Sequence, residues 1–155
     1  MDGFDGRIEV EGCDTIPKLF WHQVKARDGR TVLAAQAFRA PFHVSKPYWD
    51  VDTGTLLVQV VNPTAGILSG DTLESDIAVG AGGAVLVTTP SASRGFQMRG
   101  GSAECRQQVN VEAGGWLEVM PEPLVPHRGC RYRQVTRIEV AAGGGLFFAD
   151  MLMPG

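Results

Sequence analysis

The chain reads as a mainly all-β protein with little helix, its strands set out as stacked β-hairpins in a sandwich or as a β-superhelical scaffold. Three observations carry that reading. No segment sustains a helical apolar period over three turns. Several runs of five to nine residues alternate apolar and polar positions, the signature of half-buried strands. A V-x-A-G-G core also recurs three times, at Val79, Val111 and Val140, first after 32 residues and then after 29. Each copy sets β-branched residues at alternate positions before a glycine pair and apolar residues at alternate positions after it. That pattern is a strand, a tight turn needing positive φ, and a second strand. A repeat of this length built of strand pairs is what a stacked β architecture looks like in one dimension.

Taken in order, residues 1–16 form a loose lead-in with little apolar periodicity, and 17–155 form one β-rich domain. Leu19 to Ala26 and Thr31 to Phe38 flank Arg27-Asp28-Gly29-Arg30, where Asp-Gly signals a hairpin. Lys46-Pro47-Tyr48-Trp49-Asp50 has the amphipathic rings of a loop that reaches the surface. Leu56 to Val61 is an apolar strand and Thr72 to Val79 an alternating one. The loop between them is more elaborate than a hairpin needs. Asn62-Pro63 closes the first strand, Gly66 and Gly70 flank the apolar pair Ile67-Leu68, and Gly70-Asp71 leads back in. A compact loop carrying apolar residues is expected to pack against something. Beyond it, Thr72, Glu74 and Asp76 and then Arg106, Gln108 and Asn110 mark one wet face on each incoming strand. Two further excursions, Thr88 to Gly101 and Pro121 to Tyr132, separate the repeat copies.

Composition narrows the function classes. The 155 residues suffice for one domain, and 44% hydrophobic with 20% charged content is globular. A net charge of -3 with both signs interspersed leaves no basic face, which argues against nucleic acid as a partner. Cys13, Cys105 and Cys130 are odd in number and widely spaced, unlike a disulfide framework. The acidic, glycine-rich opening does not resemble a signal peptide, and no apolar run has membrane-spanning length. A cytoplasmic protein is the expectation.

The chemistry-bearing residues do not form a familiar catalytic pattern. There is no G-x-S-x-G elbow, no Walker A loop and no G-x-G-x-x-G. His22, His43 and His127 are scattered. His127 and Cys130 lie three apart and suit Ni²⁺, Zn²⁺ or Cu²⁺, but two ligands do not make a site. Met98, Met120, Met151 and Met153 are expected in the core. Asp71, at a glycine-flanked loop end, either faces solvent or a channel or caps its own turn. Arg94 either grips a partner or is solvated. No catalytic residue and no metal-ligand set is assigned.

Several motifs in a fixed order resemble the urease accessory proteins of the UreD (UreH) family. They are Ser45-Lys46-Pro47-Tyr48-Trp49, Val58 to Gly66 with Gly70-Asp71, Leu86 to Arg94, and Leu117 to Gly129. The resemblance implies a non-catalytic maturation scaffold that binds UreF-like and UreG-like accessory proteins and helps deliver nickel to apo-urease, with transient rather than permanent nickel. It places Asn62, Thr64, Gly66, Gly70 and Asp71 in the family's first motif and Thr89, Ser91, Ala92 and Arg94 in its second. Their implied roles are loop architecture, partner contact or tunnel lining. Arg94 stands where the family usually has lysine, and Gly95-Phe96-Gln97 after it keep an aromatic but loosen the backbone. The family's Pro-Gly, here Pro154-Gly155, lies mid-protein, so a fragment with an unpaired β edge is expected. Beside this reading stand a small β-fold metal-binding enzyme using His127, Cys130 and His43, and a structural or carbohydrate-binding β module.

Overall fold

The structure, a computed structural model, describes residues 18–27, 29–40 and 42–155; the lead-in read over 1–16, with Cys13, and the turn residue Asp28 lie outside them. The described residues contain thirteen strands and no helix. A hairpin opens the fold: β1 (Lys18–Arg27) pairs antiparallel with β2 (Arg30–Phe38), and Arg27 faces Arg30 across the expected turn. Two short strands, β3 (His43–Val44) and β4 (Tyr48–Trp49), then pair antiparallel with β5 (Leu56–Val61).

From residue 72 onward the chain winds. The strands β6 (Thr72–Val79), β9 (Ala103–Val111) and β12 (Tyr132–Val140) stack in parallel in one sheet. The strands β7 (Ala84–Thr88), β10 (Trp116–Met120) and β13 (Gly145–Phe148) stack in parallel in a second, with β5 beside β7. A narrow third sheet pairs β8 (Ser93–Gly95) with β11 (Leu124–Pro126), and the bridges Ile67 to Gly95 and Leu124 to Leu152 extend it on both sides. Each circuit therefore visits all three sheets once. Of the layouts left open by the sequence, the superhelical one is realised. The A-G-G units turn a corner between two sheets instead of closing hairpins.

The register explains the repeat. Val79 lies level with Val111 and Val111 with Val140, so one turn of the coil is the 32- and then 29-residue spacing seen in the sequence. At each corner the first glycine of the pair has positive φ, 70° at Gly82, 75° at Gly114 and 83° at Gly143. Gly83, Gly115 and Gly144 each donate back across the turn to the oxygen three residues earlier, as in a type II turn. Corners also bond to one another: Gly82 N–H donates to Gly114 O at 3.1 Å and Gly114 N–H to Gly143 O at 2.9 Å. A Cβ at Gly144 would sit 2.7 Å from Glu112 O of the corner beneath, so the second glycine is needed for the close stacking of backbones.

Alternation then fills the coil. Inward residues form columns: Ile77, Val109 and Ile138; Val79, Val111 and Val140; and, across the coil, Leu56, Val85, Leu117 and Leu146. Leu56, Val85 and Leu117 are fully buried, each stabilising the fold by about 1.5–3 kcal/mol. The cap is tied in through Thr31 on β2, whose buried hydroxyl accepts from Ala84 N–H at 2.9 Å while its carbonyl accepts from Trp49 Nε1 at 2.7 Å. At the opposite end β12 and β13 are paired on one side among the described residues, and Ile138 and Val140 are 45% and 41% exposed. Of the four methionines expected in the core, only Met98 is buried; Met120, Met151 and Met153 are exposed because they fall on an outward position and on the segment beyond the last coil.

The outward face of the first sheet is wet as expected, carrying Glu74, Asp76, Glu104, Arg106, Arg133 and Arg137. Arg106 reaches Glu104 at 3.2 Å, an exposed pair of little energetic weight. Asp76 is partly covered, one of its carboxylate oxygens is buried without a hydrogen-bond partner, and burial pushes its pKa up.

Leu117→Ala should lower unfolding stability in urea by about 3 kcal/mol, because it empties a closed column position, whereas Ile138→Ala in the open column should cost less than about 1 kcal/mol. Asp76→Asn should raise the melting temperature at pH 7. The folded state penalises the Asp76 carboxylate, so the gain should shrink as the pH falls towards the ordinary carboxylate range, where the acid is neutral in both states. A gain that is constant with pH would remove desolvation as its cause.

Candidate functional site

The two loops singled out by the sequence meet each other. Asn62 Oδ1 accepts from Thr64 N–H at 3.2 Å and from Thr64 Oγ1 at 2.7 Å, an Asx turn that bends the chain after Pro63. The bend brings Gly66 against β8 with no room for a side chain: its φ is 151°, and a Cβ there would overlap Arg94 O and lie 2.8 Å from the Phe96 ring. Ile67 N–H donates to Arg94 O at 2.7 Å and Phe96 N–H to Ile67 O at 3.0 Å, so the loop makes the first rung of the third sheet. Ile67 is buried there with Leu73, Met98, Ala103 and Cys105.

Asp71 anchors the other end of the loop. Its carboxylate accepts from Leu68 N–H at 2.9 Å, its own N–H donates to Leu68 O at 3.1 Å, and its carbonyl accepts from Glu104 N–H at 2.9 Å. Of the alternatives the sequence left for Asp71, this geometry is the turn cap. Gly70, with φ 87°, supplies the re-entry beside it.

Behind the two loops lies a cavity of about 200 Å³ inside the coil. Its wall includes Asn62, Thr64 and Gly66 from the first loop and Thr89, Ser91, Ala92 and Arg94 from the second, whereas Gly70 and Asp71 stand outside it. Thr89 Oγ1 accepts from Glu122 N–H at 2.9 Å and so joins the second excursion to the third. Ser91, Ala92 and the Arg94 side chain are exposed at the outer rim.

The inner wall is unusual for a β coil because one column is polar. Ser75, Gln107 and Thr136 occupy one level of the first sheet, with Leu73, Cys105 and Gln134 on the next. Thr136 Oγ1 donates to Gln107 Oε1 at 2.9 Å. Gln134 Nε2 donates to Asp150 Oδ2 at 2.7 Å, and the Tyr132 hydroxyl donates to Gln134 Oε1 at 2.9 Å. Burial, more than its neighbours, pushes the Cys105 thiol up, with Asp150 adding to the shift and the Tyr132 hydroxyl opposing it. Burial likewise pushes the Tyr132 phenol far up, so both remain protonated at neutral pH. The column is thus a file of neutral donors and acceptors ending at one carboxylate. Among the described residues no cluster of three His, Cys, Asp or Glu side chains could hold a metal ion. His127 stacks on Phe96 with ring centroids 5.6 Å apart, and Cys130 packs against Gly95.

Residues 21–155 match the family model described as UreD urease accessory protein. The chain belongs to that family. It is 66% identical over 127 residues to the urease accessory protein UreD of Opitutus terrae, covering 82% of this chain and 47% of that protein. It is 37% identical over 131 residues to the UreD of Yersinia enterocolitica, covering 83% and 40%, and 35% identical over 133 residues to that of an Arthrobacter species, covering 86% and 45%. The chain spans about half the length, or less, of the curated relatives it matches. These relatives are named as accessory proteins, not as enzymes.

In this UreD chain the first and second motifs are therefore structurally one unit, joined at Gly66. The polar column was not picked out from the sequence. Its signal was present: Ser75, Gln107 and Thr136 each stand four residues before the valine that aligns the three repeat copies. No helix among the described residues is long and apolar enough to cross a membrane.

Gly66→Ala should destabilise the chain by roughly 2–4 kcal/mol, because the added methyl meets a backbone carbonyl and the φ is unfavourable for an L-residue. Gly29→Ala, at an open turn with φ 74° and no atom near its Cβ, should cost about 1 kcal/mol. Urea titration of the two variants checks the ordering.

Proposed function

We propose that the chain is a scaffold for urease maturation, without chemistry of its own, that binds UreF-like and UreG-like accessory proteins and assists nickel delivery to apo-urease in the cytoplasm. The observation that carries this reading is membership of the UreD family, supported along 21–155. The form of the molecule agrees with it. A coil with exposed excursions offers docking surfaces.

The polar column supports the nickel part of the reading. A divalent cation is cargo here, and cargo has to leave again. Amide, hydroxyl and carboxylate oxygens such as those of Gln107, Thr136, Gln134 and Asp150 bind nickel weakly, which suits passage more than storage. Asn62, Thr64, Gly66, Thr89, Ser91, Ala92 and Arg94 shape the wall beside this column and its outer rim, while Gly70 and Asp71 fix the loop that makes the wall.

Co-expression with the UreF-like and UreG-like proteins of the same source, followed by size-exclusion chromatography with light scattering, tests the scaffold role. A co-eluting complex is expected. A folded chain that elutes alone would overturn the reading for this part of the protein.

A further inference from the structure

The two broad sheets present very different faces to the outside. The outward positions of β6, β9 and β12 are mostly polar and charged, Ala78 and Val135 being the exceptions. Those of β5, β7, β10 and β13 are mainly apolar: Leu57, Leu86 and Phe147 share one level, interrupted only by Glu118, and Ala84, Trp116 and Gly145 share the next, while the level of Met120 carries Thr88 and Gln59. Tyr48 on β4 extends the first row beyond Leu57, and Met120 lies beside it. Tyr48, Trp116, Met120 and Phe147 are 43–50% exposed. The Trp116 ring lies flat over Gly145, where any Cβ would overlap it, so the third repeat copy carries an extra glycine to keep the surface level.

Scattered exposed apolar residues need no explanation, but a row of Tyr48, Leu57, Leu86 and Phe147 broken by a single carboxylate does. The parallel first sheet leaves its outer face to water because that face is charged, whereas this face lacks such charge, and the usual cover for an apolar face of a parallel sheet is an amphipathic helix. The charge on the face restricts what can cover it. Glu118 is the one carboxylate on the outward positions of β5, β7, β10 and β13, and no lysine or arginine stands among them. Its Oε1 accepts from Trp116 Nε1 at 2.8 Å. Covering this face desolvates Glu118, which costs several kcal/mol unless the cover supplies a cation or donor. A second copy laid on the same face would bring Glu118 against Glu118, the wrong complement.

We propose that the outer face of the second sheet docks an amphipathic helix of a partner protein, whose apolar stripe carries one lysine or arginine that meets Glu118. Trp116 and Phe147 are the anchors on either side of that pair. This goes beyond the proposed scaffold role, and it stands or falls independently of nickel passage and of which accessory proteins bind.

The test uses the full chain and two dye-labelled synthetic helices of about 18 residues, long enough to cross four strands spaced ~4.8 Å apart. Both helices carry leucine and alanine on one face; one has a central lysine in that face and the other a central glutamate. In anisotropy titrations the lysine helix should bind at least about tenfold more tightly than the glutamate helix, a difference of about 1.4 kcal/mol. Glu118→Lys should reverse the preference, Phe147→Asp should remove binding of both, and Arg106→Glu on the opposite sheet should change nothing, each variant being checked for a native circular dichroism spectrum. Equal binding of the two helices, no binding of either, or a preference that survives Glu118→Lys would overturn the proposal. So would self-association through this face, or adsorption to anionic vesicles, in the absence of helix binding.

Discussion

Everything in this protein depends on one spatial coincidence: the residue that completes a strand's hydrogen bonds lies one full coil away along the chain. Pairing by coil makes the corners decisive. If the A-G-G corners did not stack, Val79, Val111 and Val140 would fall out of level, and every inward column would slip by one position and turn its apolar residues outward. The corners hold because their backbones approach closely enough to bond directly, Gly82 to Gly114 and Gly114 to Gly143. Two adjacent glycines are the minimum for this, one to take positive φ and one to leave room for the corner next to it. Net hydrogen-bond free energies of about 1 kcal/mol each set the register, while the larger burial of the valine and leucine columns supplies most of the stability.

The strands β5 and β6 were legible in the sequence with their observed limits, and so were the opening hairpin and the three repeat copies, because alternation and turn residues are local signals. The choice between hairpin and corner was not local. An A-G-G turn reads the same whether the strand after it folds back on its neighbour or runs on to pair with the next coil. Only the pairing partner, 29 or 32 residues distant, decides it. The exposed methionines have a similar cause: Met120 falls on an outward strand position, and Met151 and Met153 lie beyond the last strand. Alternation separates two faces without saying which one is inside.

The same ambiguity hid the polar column. A serine, glutamine or threonine in a strand is ordinarily taken for the solvent side, and here Glu74, Asp76, Arg106 and Gln108 already occupied that side. Parity alone then puts Ser75, Gln107 and Thr136 inward. The motif residues fared differently. Asn62, Thr64, Gly66, Thr89, Ser91, Ala92 and Arg94 were grouped by resemblance and are grouped again by geometry around one cavity. Gly70 and Asp71 were grouped with them but belong to the far anchor of the loop. Motif membership marks a piece of chain that must keep its shape, and shape can be held by residues that never touch the site.

The asymmetry between the two ends of the coil has a dynamic consequence. One end is sealed by antiparallel strands and by the Thr31 contacts, whereas at the other, among the described residues, Ile138 and Val140 lie open. Coils that touch only their neighbours behave as a one-dimensional array, in which opening propagates from whichever end has the fewest contacts to lose. Amide protons should therefore exchange along a gradient, fastest around β12 and β13 and slowest beside Leu56 and Val85. A ligand or protein that settles on the open end would act as a stopper, slowing exchange through every coil behind it without touching them.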